Sequence, residues 1–182
     1  GKALSEQIAD KTGLLIDPYF SSTKLHWILS EIVASDSSLD IYDLLFGTVD
    51  TYLIWKLTGG HSHATDVTNA SRTQLLNIST LEWDEDLLRY FDIPGFLLPK
   101  VLDSSAQYGY AEEKWFDAPI PITGVAGDQQ AALVGQCCFD SGMSKVTLGT
   151  GCFIMTNTGS EKSLPKDGLL TTIAYRINGQ TS

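Results

Sequence analysis

The sequence predicts a mixed architecture, α/β or α+β, with a lobe boundary near residues 135–142. Three observations carry this. Helical periodicity dominates up to about residue 93, prolines and glycines break the chain over 98–121, and β-branched residues recur after residue 141. The 182 residues are 43% hydrophobic and 10% aromatic, the make-up of a packed globular chain.

The elements follow in order. "SEQIADKTG" (5–13) reads as a helix that stops at Gly13, a residue suited to a helix end. "LLIDPYFS" (14–21) is a turn-rich connection around Pro18. In "STKLHWILSEIVA" (22–34), Leu25, Ile28, Leu29 and Ile32 recur at helical spacing after a Ser/Thr start. "GTVDTYLIWKL" (47–57) reads as a second long helix, closed by "TGG". "HSHATDVTNASRT" (61–73) is polar and small, and reads as a structured loop. "STLEWDEDLLRYFDIP" (79–94) contains a helix for which Ser79 or Thr80 is the expected cap. Acids fill its first turn and Pro94 follows it. Residues 98–121 read as loops and short strands. "PITGVAGD" (121–128) reads as a strand ending at Asp128, and "QQAALVGQCCF" (129–139) as a helix. "SGMSKVTLGTGCFIMTNTG" (141–159) reads as two strands around the turn at Gly149–Gly151. "GLLTTIAYRING" (168–179) adds a strand and a turn at Asn178–Gly179.

Charge and composition narrow the function. The net charge of −10 and the lack of a Lys/Arg cluster exclude a nucleic-acid binder and a protein that docks on anionic membranes. An acidic protein still binds ATP where backbone N–H groups and Mg²⁺ neutralise the phosphates locally. No apolar run is long enough for a membrane span, and "GKALSEQIADKTG" (1–13) lacks the apolar core expected of a signal peptide. Cys137, Cys138 and Cys152 cannot all pair and lack zinc-site spacing. They read as reduced cysteines in the core of a cytoplasmic protein. His26, His61 and His63 form no metal or triad pattern, and no metal ligand is expected in the chain.

Two short stretches carry chemistry. In "GVAGDQQAALVGQ" (124–136) a carboxylate, Asp128, stands at a helix mouth after Gly127. That pattern fits a cap first, and it also suits a base held ionised by the helix dipole. In "LGTG" (148–151) a Gly-Thr-Gly turn between strands offers backbone N–H groups and one hydroxyl, for a phosphate or simply for a tight turn. It is not a P-loop.

Together with "DPYFSSTKLHWIL" (17–29), "LLFGTVDTYLIWKLTGG" (44–60), "ATDVTNASRT" (64–73) and "VTLGTGCFIMTNTG" (146–159), these stretches resemble the FGGY family of carbohydrate kinases, and most closely its members that phosphorylate glycerol. The resemblance runs along nearly the whole chain. It implies a partial α/β, actin/hexokinase-like (ribonuclease H-like) two-lobe fold. Residues 1–136 would be the carboxy-terminal part of the first lobe, and 137–182 the start of the second. It further implies ATP-dependent phosphorylation of glycerol, with Asp128 as the base that takes the proton from the attacking hydroxyl. Tyr19, Gln129 and Phe153 would bind substrate alongside Asp128. Gly149, Thr150 and Gly151 would bind the nucleotide, with ATP and Mg²⁺ as cofactors. Asp66 and Arg72 are lesser candidates near the cleft. The family's amino-terminal phosphate-binding segment, its Arg-Glu substrate grip and its adenine-holding segment have no counterpart here. The chain therefore reads as an internal piece, inactive alone, of a cytoplasmic homo-oligomeric enzyme. Kinases of another polyol or sugar, and a non-catalytic actin-fold fragment, are the alternative readings.

Overall fold

A computed structural model describes residues 3–33, 35–36, 38–162 and 168–182. Helix α1 (Leu4–Thr12) ends where Gly13 turns left-handed at φ 72° and its N–H closes on the Ala9 carbonyl. Glycine is required there twice over. A side chain would be strained at that φ, and a Cβ would collide with the Thr171 carbonyl oxygen. Close approach lets the Thr171 N–H donate to the Gly13 carbonyl at 2.9 Å, tying 168–175 to the start of the chain. Gly13→Ala should therefore destabilise by about 2–3 kcal/mol, read as a lowered urea midpoint in the full-length protein.

Helix α2 (Ser21–Trp27) continues as a π-helical stretch, Ile28–Val33. The wider turn changes the expected helical face: Leu25 is buried, whereas Ile28 is 42% exposed. The Ile32 side chain and Ala34, part of the expected helix, lie outside the described residues. Helix α3 (Val49–Leu57) buries Thr51 and Ile54.

The polar segment 61–73 departs from the loop expected of it. It forms strand β1 (Ala64–Asp66) and helix α4 (Val67–Ala70), and most of it is buried. Small hydroxyl residues can be buried because each finds a partner: Ser71 Oγ donates to the Thr68 carbonyl, and Thr73 Oγ1 to that of Ala70. Strand β1 pairs in parallel with β4 (Lys100–Leu102).

Strands β2 (Leu76–Asn77) and β3 (Glu82–Trp83) form a small hairpin ahead of helix α5 (Glu85–Tyr90). Ser79 and Thr80 belong to that hairpin's turn, where the Asn77 carboxamide oxygen accepts from their N–H groups. The cap of α5 is instead Asp84, accepting from the N–H groups of Asp86 and Leu87. Asp84 also accepts from Lys11 Nζ at 2.6 Å, and Asp86 does so at 2.7 Å.

This triad gives a pH signature. Burial alone would lower the Lys11 pKa, but the hydrogen bonds to Asp84 and Asp86 and their charges outweigh it and raise it. For Asp84, burial would raise the pKa. The bonds from Lys11, Asn77 and the Leu87 N–H overcome that and hold it below the usual carboxylate range. The bond from Lys11 likewise lowers Asp86. The lowered carboxylates stabilise the fold above their unfolded value of about 4 and lose that contribution as pH falls through their folded values. The raised lysine contributes below about 10.4 and loses its share as pH rises through its folded value. Lys11→Met should cost about 1 kcal/mol near pH 7 after solvent screening. The gap to the native protein should shrink at both pH extremes when urea midpoints are followed against pH.

The main sheet runs β10-β9-β5-β6. Its long pair is β5 (Ser105–Ala111) against β6 (Ile120–Gly124), with a bulge between Ser105 and Gly109. A short helix, α6 (Glu113–Phe116), links the two. The expected strand near the carboxy-terminal end is shorter than its composition suggests: β9 is Arg176–Ile177, paired in parallel to β5 at Ser105. Asn178 and Gly179, both at positive φ, turn it into β10 (Gln180–Thr181). Strand β6 leads to helix α7 (Asp128–Gly135). Strands β7 (Ser144–Leu148) and β8 (Cys152–Thr156) form the expected hairpin. Leu133, Cys138 and Ala174, with Met155 and Tyr175 packed on them, seat α7 against the hairpin.

Candidate active site

Strand β6 stops at Gly124, and an extended connection carries the chain to Gly127, the cap position of α7. Thr68 Oγ1 accepts from the Gly127 N–H at 2.8 Å. The same hydroxyl donates to the buried carboxylate of Asp66 at 2.8 Å. Asp66 also accepts from the N–H and Nδ2 of Asn69 and from Ser104 Oγ, so it anchors the start of α4 and the mouth of α7 together.

Asp128 is the first residue of α7, and its carboxylate is exposed. It does not cap the helix. Its Oδ1 accepts from the next residue's N–H, that of Gln129, at 2.8 Å, and Gln129 Nε2 approaches Oδ2 at 3.5 Å. A carboxylate at a helix N-terminus that satisfies no N–H one turn ahead remains free to meet a ligand.

The helix ends sharply. Cys137 takes φ 57°, and the N–H groups of Cys137 and Cys138 return to the carbonyls of Val134 and Leu133. That closure is a Schellman motif without its usual glycine. The expectation of core cysteines holds for Cys138 alone, since Cys137 and Cys152 are exposed.

Beside α7 lies β7, where Lys145 is 1% exposed. Its ammonium donates to Gln129 Oε1 and, at 2.7 Å, to Thr147 Oγ1. Thr147 stands directly opposite Phe153 in the hairpin. Phe153 is 43% exposed, so it is not strand core. The structure thus brings Asp128, Gln129 and the Phe153 strand into one neighbourhood through Lys145, a residue the sequence reading passed over. Its signal was weak: one charge alternating with Thr147 along a strand-like run. Gly149, Thr150 and Gly151 form the exposed hairpin tip, held by a bond from the Gly149 N–H to the Gly151 carbonyl.

Tyr19 stands in another group. It is 66% exposed, packs edge-on against Phe20, and its N–H is bound by Asp17. The Arg72 guanidinium lies 5.2 Å from the Phe20 ring centroid, with its pKa lowered by burial and partly restored by Tyr19. His26 and His63 contact the Phe91 and Phe46 carbonyls, which are structural tasks. Among the described residues no group of three His, Cys, Asp or Glu could hold a metal ion, and no helix is long and apolar enough to cross a membrane.

A strand feeding an exposed acid at a helix mouth, packed beside a hairpin with a Gly-Thr-Gly tip, defines part of an actin/hexokinase-like sugar-kinase fold. A glycerol kinase from Plasmodium falciparum, solved with ADP, superimposes with a TM-score of 0.90 at 38% identity, over 99% of this chain and 36% of that one. A xylulose kinase from Brucella ovis shares the fold at 21% identity, with a TM-score of 0.71 over 82% of this chain and 31% of that one. Residues 2–135 match the N-terminal domain of the FGGY family of carbohydrate kinases, and the chain belongs to that family. Glycerol kinases from Alteromonas mediterranea and Petrotoga mobilis are 55% and 54% identical to it over 181 residues, all of this chain. The chain spans 37% and 36% of those two relatives' lengths.

Proposed function

We propose that this chain supplies the base and part of the acceptor site of an ATP-dependent glycerol kinase. The observation that carries the reading is the exposed, non-capping carboxylate of Asp128 at the mouth of α7. Identity above 50% to glycerol kinases along the full chain supports glycerol as the acceptor. A hydroxyl seated at Asp128 would lose its proton to the carboxylate as its oxygen attacks the γ-phosphorus, with ADP as leaving group. Phosphoryl transfer depends mainly on alignment and charge neutralisation, so one aimed carboxylate suffices as base. Gln129 would sit beside Asp128, near the acceptor and the phosphates, Tyr19 would contact the polyol, and Phe153 would pack against its carbon side. Thr150 and the backbone of Gly149 and Gly151 would meet the nucleotide phosphates from the exposed hairpin tip. Mg²⁺ would travel with ATP, since the described residues offer no carboxylate cluster for it.

The break after α7, where Cys137 turns left-handed, supports dividing the chain into a first-lobe part, 1–136, and the start of a second, 137–182. Free cysteines support a reducing, cytoplasmic setting. The full-length enzyme is read as a homo-oligomer, and Val49, Tyr52 and Leu53 of α3 are exposed apolar residues on this chain.

Coupled measurement of ADP release by the full-length enzyme tests the substrate. Glycerol should exceed xylulose and gluconate by at least about 100-fold in kcat/KM, the scale a pocket reaches by size and shape alone. Preference for either larger substrate would overturn the glycerol reading.

A further inference from the structure

We infer that Lys145 is a positioning residue that sets the Gln129 side chain and, through it, the aim of the Asp128 carboxylate. This rests on the reading of Asp128 as the base. Lys145 is 1% exposed on β7, and among the described residues no carboxylate lies within ion-pair distance of it. Burying an ammonium without a counter-charge is costly, so its neutral partners must be well placed. Those partners are Gln129 Oε1 and Thr147 Oγ1.

The chemistry of the donor fixes the rest. An ammonium only donates, so it selects the oxygen end of the Gln129 amide. The NH₂ end must then face the other way, and there it lies 3.5 Å from Asp128 Oδ2, while the Gln129 N–H holds Oδ1 at 2.8 Å. Both carboxylate oxygens are thus oriented by one residue, whose side chain is anchored from below by Lys145. Without that anchor the Gln129 amide is free to turn or swing off β7, and the carboxylate loses one of its two guides. The row extends across the hairpin, since Thr147 pairs with Phe153.

Lys145→Met in the full-length enzyme tests this, alone and combined with Gln129→Ala. Methionine fills the buried space without a charge, so thermal stability should hold or rise. The expected result is a fall in kcat of about 10- to 50-fold, with KM for ATP changed less than about 3-fold and any rise in KM for glycerol smaller than the fall in kcat. In the Gln129→Ala background, Lys145→Met should change kcat by less than about 2-fold, because the residue through which it acts is gone. Unchanged kcat in the single variant, or losses that multiply in the double variant, would overturn the inference. If the native enzyme phosphorylates no polyol or sugar, the kinase reading fails separately. Crystal structures then decide the role of Lys145: a Gln129 side chain displaced from β7 in Lys145→Met supports it, and an unmoved one overturns it.

Discussion

Asp128→Asn should lower kcat for glycerol phosphorylation by about 1,000-fold, near 4 kcal/mol of transition-state stabilisation, while glycerol still binds. The substitution preserves shape and one acceptor oxygen. It removes the ability to take a proton. Because Asp128 does not cap α7, the fold should register only the small loss of a charge at an exposed helix N-terminus, roughly a few tenths of a kcal/mol: its carboxylate receives only the Gln129 backbone and side chain. A helix cap in the same place would behave in reverse, losing about 1 kcal/mol of stability with turnover intact. Steady-state kinetics with calorimetric glycerol binding separates the two outcomes.

Asp66→Ala should destabilise the full-length protein by about 4 kcal/mol. Asp66 is 0% exposed. It accepts from Thr68 Oγ1, from the N–H and Nδ2 of Asn69, and from Ser104 Oγ. Alanine leaves these donors buried without their acceptor. Ser104 Oγ in turn accepts from the Arg176 N–H, so the loss reaches the β5–β9 junction. It also reaches the site: Thr68 holds the Gly127 N–H one residue before Asp128. Urea midpoints should fall and kcat should fall with them. Stability loss with kcat intact would show that the mouth of α7 keeps its shape without Asp66.

Local chemistry was legible in the sequence, and distant partnership was not. The end of α1 at Gly13, the Gly-Thr-Gly hairpin and the Asn178–Gly179 turn each depend on backbone conformations that their own residues favour. The start of α7 at Asp128 is local in the same way. The segment 61–73 reads as a loop because its burial depends on partners from afar, Ser104 on β5's approach and Thr172, added to the bonds its hydroxyls make within the segment. The α5 cap fell to Asp84 and not to Ser79 or Thr80, because the β2–β3 pairing occupies the residues between them. Lys145 escaped notice because a lysine in a strand reads as a solvated charge, and its burial depends on Gln129, which a separate helix carries. Of the site, the acid and the glycine turn showed as motifs, and their roles came from the family resemblance. The link between them, Lys145, depends on contact between two separate elements, β7 and α7.

A crystal structure of the full-length enzyme with glycerol and a non-hydrolysable ATP analogue tests the central claim most directly. The account predicts a terminal glycerol hydroxyl about 3 Å from an Asp128 carboxylate oxygen, on the side facing the γ-phosphate. Glycerol bound elsewhere, with Asp128 still turned to solvent, would contradict it.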